Sequence, residues 1–78
     1  MDKKEYELFI DGDKYSWDQE LISGSDLRKL GSIPEGVEIF LKVPGKPDRE
    51  IGDQDSVNLK EHRGPAKFST QSPGSQAG

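Results

Sequence analysis

Residues 5–11, EYELFID, alternate in character. Tyr6, Leu8 and Ile10 fall on one phase, and Glu5, Glu7, Phe9 and Asp11 on the other. A period of two predicts a half-buried strand. Asp11-Gly12 follows, a hairpin signal because glycine accepts positive φ. Tyr15 and Trp17 then alternate with Lys14, Ser16 and Asp18, which predicts the returning strand. Residues 21–31, LISGSDLRKLG, change period. Ser23 is placed to cap a helix by accepting from the amide of Asp26, and Asp26 can answer as in a capping box. Ile22 and Leu27 flank the cap at staple spacing. Leu27 and Leu30 share a face, and Gly31 is expected to supply the left-handed residue that ends the helix. Two turns or slightly more are marginal alone, so this helix must pack on a sheet.

Alternation returns over residues 37–43, VEIFLKV. Val37, Ile39, Leu41 and Val43 share one phase; Glu38, Phe40 and Lys42 share the other. Pro44-Gly45 opens a turn. Arg49 to Ile51 form a short strand, Gly52-Asp53-Gln54-Asp55 a loop, and Val57 and Leu59 return two apolar side chains to the interior. Gly64-Pro65 punctuates before a last strand from Ala66 to Thr70 with Phe68 inward. Hairpin, helix, strand, short strand and strand predict an α+β fold: a mixed sheet of four to five strands with one helix packed across it. That is the ubiquitin-like β-grasp arrangement. Residues 1–70 are expected to form this domain, and residues 71–78, QSPGSQAG, a flexible C-terminal tail. From Ser72 onward the tail has no aromatic, no branched aliphatic and no charge.

Composition narrows the chemistry. The chain has 78 residues, of which 29% are hydrophobic, enough for one small core. It has no cysteine and one histidine, His62, so neither a disulfide framework nor a thiolate metal site is available. Asp53 and Asp55 fall short of a calcium loop's ligand spacing. Ser23, Ser25 and His62 make no triad, and Gly12, Gly24 and Gly31 make no phosphate loop. The expectation is a non-enzyme with no metal and no cofactor bound by itself. Net charge is −4, from 15 acids and 11 bases. Lys60, Arg63 and Lys67 are the nearest approach to a basic patch, and Glu61 interrupts them, which argues against nucleic acid. No apolar run reaches the roughly 18 residues of a membrane helix, and MDKKEYE is no signal peptide. A cytoplasmic protein is expected.

Several stretches carry a resemblance: FIDGDKYSW on the hairpin, ISGSDLRKL at the helix, IPEGVEIFL through the third strand, and VPGKPDREI with IGDQDSVNL beyond it. Together they resemble the multiubiquitin family of bacterial β-grasp domains over roughly residues 6–70. The resemblance implies a ubiquitin-like modifier. Its partners would be a ubiquitin-activating-like enzyme that consumes ATP, a ubiquitin-conjugating-like enzyme, a JAB-type metalloprotease and protein targets. The setting implied is a bacterial conjugation pathway that forms isopeptide bonds, often in antiviral defence. On that reading Gly78 is the acyl donor, and Ser75, Gln76 and Ala77 contact the activating enzyme. Phe40 matches the place of ubiquitin's best-known hydrophobic surface residue. Phe9 shares its outward phase, and the two are expected to form a docking surface. A terminal glycine suits a narrow channel because it has no Cβ. Residues 71–77, fully extended, reach roughly 25 Å.

One departure is plain: the chain ends Gln76-Ala77-Gly78, with neither arginine nor paired glycines. Two other functions fit a β-grasp domain. One is a non-covalent interaction module that uses the Phe40 face. The other is a sulfur carrier, which Ala77 in place of a second glycine disfavours.

Overall fold

The computed structural model describes residues 5–61 and 64–72. Strands β1 (Tyr6–Ile10) and β2 (Asp13–Trp17) form the opening hairpin, in register from Tyr6 opposite Trp17 to Ile10 opposite Asp13. Its two-residue loop holds Asp11 at φ 52° and Gly12 at φ 87°. Two positive φ values give a turn whose twist matches that of the paired strands. After β3 (Leu21–Ser23) and α1 (Gly24–Gly31) come β4 (Glu38–Leu41), β5 (Arg49–Ile51), β6 (Ser56–Asn58), a 3-10 turn (Leu59–Glu61) and β7 (Ala66–Gln71). The main sheet runs β2-β1-β7-β4-β5. β1 and β7 are parallel and the other neighbours antiparallel, so the sheet is mixed.

The core lies on one face of that sheet. Leu8, Ile10, Ile39, Leu41, Ile51, Ala66 and Phe68 come up from the strands and meet Ile22, Leu27, Val57 and Leu59. Tyr15 and Trp17 lie on this face opposite Leu8 and Tyr6, partly buried at its edge. The Trp17 indole donates to the carbonyl of Leu21 at 2.9 Å. Tryptophan therefore serves the core margin, with its polar N–H satisfied. The result is the expected α+β β-grasp, with α1 packed across five strands.

The helix begins as the sequence predicts. The Ser23 hydroxyl accepts from the Asp26 amide at 3.0 Å, and the Ser23 amide donates to Asp26 at 3.1 Å. Ile22 and Leu27 are both fully buried around that cap. The helix ends differently. Gly31 is the last helical residue, and the left-handed position belongs to Ser32, at φ 54° and ψ 43°. A Cβ on Gly31 would come within 3.0 Å of the Ile10 side chain. Glycine there leaves room for the Ile10 side chain of β1, and Ser32 makes the left-handed turn instead.

Two short strands were not legible in the pattern. β3 and β6 pair as a separate two-stranded sheet, with Ile22 opposite Val57. Three-residue strands are too short for alternation to mark them. They bring the 52–55 loop over the start of α1. The amides of Gly24 and Ser25 donate to the carbonyls of Asp55 (3.0 Å) and Asp53 (3.2 Å). The first orphan donors of the helix are thus satisfied by backbone. Arg28, one turn on, donates to the Asp53 carboxylate and to the Pro34 carbonyl, both at 2.7 Å. Asp55 accepts from the Gly52 amide at 2.8 Å, so both acids of this loop hold structure. No described helix is long and apolar enough to cross a membrane.

Gly24 is the tightest point. A Cβ there would lie 2.1 Å from the backbone oxygen of Gly52, which is no flexible side-chain end and cannot swing aside. Gly24→Ala is expected to cost about 2 kcal/mol or more. In a domain this size that lowers the thermal midpoint by roughly 10 °C, measurable by circular dichroism.

Candidate functional site

The strands that send Leu8, Ile39 and Phe68 inward send Glu7, Phe9, Phe40, Lys42, Lys67 and Ser69 to the opposite face. No helix covers that face among the described residues. Phe9 lies opposite Lys14 on β2 and Lys67 on β7. Phe40 lies opposite Ser69 on β7 and Glu50 on β5. The two phenylalanines, predicted to share a surface, do share a face. They are not neighbours, because β7 runs between them and they sit at different levels. Both are half-buried rather than fully open. The one large exposed apolar side chain among the described residues is Leu21, 54% exposed, away from this sheet on β3.

A surface cavity of about 620 Å³ opens beside Phe9. Its lining includes the apolar Phe9 and Pro65, the polar Asp11 and Ser69, and the two exposed cations Lys42 and Lys67. Phe40 is not part of its lining. Lys42 and Lys67 are therefore residues that sequence reasoning missed. The alternation of β4 already placed Lys42 beside Phe40 on the outward phase. The missing information was the strand order that sets β7 against β4. Lys67 was grouped in sequence with Lys60 and Arg63, but Lys60 sits on the 3-10 turn and faces Glu20 at 3.7 Å. Arg63 and His62 lie outside the described residues.

The tail expected to do the chemistry begins where β7 ends, and its root is held. The Asp11 carboxylate accepts from the Thr70 amide at 3.0 Å and from the Thr70 hydroxyl. The Asp11 amide donates to the Phe68 carbonyl at 3.0 Å. The hairpin turn thus clasps the last strand near its end, across the whole length of the chain. Asp11, read in sequence as turn chemistry alone, has this second task. Gln71 lies opposite Glu38 and closes the sheet. Ser75, Gln76, Ala77 and Gly78 lie outside the described residues.

A model of the multiubiquitin family matches residues 6–70, from the first strand to within one residue of the end of the last. The chain belongs to the multiubiquitin family. No curated protein and no solved structure matches it. As a ubiquitin-like protein it carries the β-grasp core described above, and the matched span covers the Phe9 and Phe40 face and the Asp11–Thr70 clasp. The match stops at the position from which the tail departs.

The clasp gives a measurable expectation. Thr70→Val keeps the β-branched shape and removes only the hydroxyl donor. It is expected to cost about 0.5–1 kcal/mol and to speed amide exchange at Thr70 and Gln71, while exchange at Leu27 in the helix changes little.

Proposed function

We propose that this chain is a protein modifier. The Gly78 carboxylate would be adenylated with ATP by a ubiquitin-activating-like enzyme, then passed through a ubiquitin-conjugating-like enzyme to an amine on a target protein. The chemistry balances simply. Adenylation joins the carboxylate to AMP and releases pyrophosphate. A thiol of the partner enzyme displaces AMP, and a target lysine displaces that thiol to leave an isopeptide bond. A JAB-type metalloprotease would hydrolyse that bond, with water supplying the oxygen of the freed carboxylate and the lysine amine leaving. The observation that carries this reading is membership of the multiubiquitin family over the whole folded domain. The place of β7 supports it: Gln71 is the last residue of a central strand, so the domain would dock as a rigid body while the residues after it enter an enzyme. Ser75, Gln76 and Ala77 would contact the channel of the activating enzyme, and the missing Cβ of Gly78 suits a narrow one. Phe40 and Phe9 would form part of the surface that docks on partner enzymes. A cytoplasmic role in a bacterial ubiquitination-like pathway, including antiviral defence, belongs to the same proposal.

The test compares this chain, tagged at its N-terminus and expressed in its native host, with a copy lacking Gly78. Heavier species that survive denaturation are expected from the first and absent from the second, on denaturing gels and by intact mass. A single unmodified mass in both would overturn the proposal and favour non-covalent binding. A mass gain of one oxygen-to-sulfur exchange would point to sulfur transfer.

A further inference from the structure

One cross-strand row on the open face of the sheet is charged in an uneconomical way. It reads Lys14, Phe9, Lys67, Lys42 across β2, β1, β7 and the residue that follows β4. The first two contacts are register pairs. The third lies one step beyond the Leu41–Phe68 pair, where the Lys42 amide donates to the Lys67 carbonyl at 2.9 Å. Lys42 and Lys67 therefore stand directly opposite each other on one face, an arrangement that weakens a sheet. Lys14 is balanced by Glu7 at 3.1 Å. Lys42 and Lys67 have no carboxylate within ion-pair distance among the described residues, although acids outnumber bases in the chain. Both are exposed, and both rim the cavity whose wall is Phe9.

From this juxtaposition we infer that the Phe9 cavity is a binding site for a short acidic segment of a partner protein. An apolar side chain of that segment fills the space between Phe9 and Pro65. A carboxylate beside it meets Lys42 and Lys67 and relieves their repulsion. Charge favours a short peptide over a nucleic-acid backbone. Glu50 flanks Phe40 one level further along the sheet, Glu38 lies beyond it, and the chain as a whole is negative. A long polyanion meets these acids, whereas a few residues fit within the lysine row. The cavity volume lies within the range of pockets that take small ligands, which leaves room for a few residues of a peptide.

The inference deepens the docking surface proposed above and does not depend on conjugation through Gly78. The experiment titrates the full chain, labelled with nitrogen-15, with a blocked hexapeptide of alternating glutamate and leucine. Saturable amide shifts are expected at Phe9, Lys42, Lys67 and Ser69, weakening as salt is raised. The double variant Lys42→Gln, Lys67→Gln is expected to bind roughly tenfold more weakly. Its thermal midpoint should be unchanged or higher, since a like-charge pair is gone, so weak binding cannot be laid to unfolding. Three results would overturn the inference: equal binding by the double variant, equal binding of a glutamine-for-glutamate peptide, or the same shifts from inorganic phosphate at the same concentration. Shifts that follow protein concentration without peptide would also overturn it, by naming a second copy as the occupant. A chain lacking Gly78 should bind the peptide as the full chain does, so failure of conjugation and failure of this site are read separately.

Discussion

The parallel pairing of β1 with β7 is the constraint on which the rest depends. It joins Leu8 to Ala66 and Ile10 to Phe68, nearly the two ends of the chain. Parallel strands cannot be joined by a tight turn, so everything between them becomes the crossover. With β7 inserted beside β1, β4 can only add on its far side, and β5 on the far side of β4. Ala66 and Phe68 are then buried from both flanks. The same insertion brings Thr70 to Asp11 and Lys67 to Phe9, so the clasp, the cavity and the lysine row all follow from one non-local contact.

What the sequence discloses divides along the same line. The hairpin, the Ser23–Asp26 cap and the outward phase of Phe9 and Phe40 depend on residues a few places apart, and each is legible in the pattern. β3 and β6 exist because Ile22 meets Val57 across more than thirty residues, and no period marks so short a pair. Gly31 misleads for a related reason. Locally it has the form of a helix-ending glycine, but its tightest neighbour is Ile10, on a strand of the hairpin. The candidate site shows the split most clearly. Alternation puts Phe9, Lys42 and Lys67 on outward phases, yet only strand order makes them neighbours.

The two faces of the sheet carry different duties. On the inner face the margins are tight. The backbone of Gly52 lies against Gly24, the 52–55 loop takes up the first helix donors, and Arg28 ties that loop to the segment leading into β4. On the outer face the chain keeps two like charges opposite each other, with no carboxylate partner among the described residues, and a cavity beside them. A ubiquitin-like domain can hold such an open face because its core is completed on the other side. Changes at the exposed lysines of the outer face are therefore expected to disturb folding little, whereas a single methyl at Gly24 strikes the tightest point of the fold.

The parallel alignment of β1 and β7 also sets how the domain answers to load. A pull applied at the two ends draws the start of β1 and the end of β7 in opposite directions along their common axis. The evenly spaced bonds between them are then strained together in shear, and none can part before its neighbours. Traction on the tail alone meets the same bonds, with those of β4 added on the other side. A domain loaded at its two ends would thus resist as a unit and give way all at once.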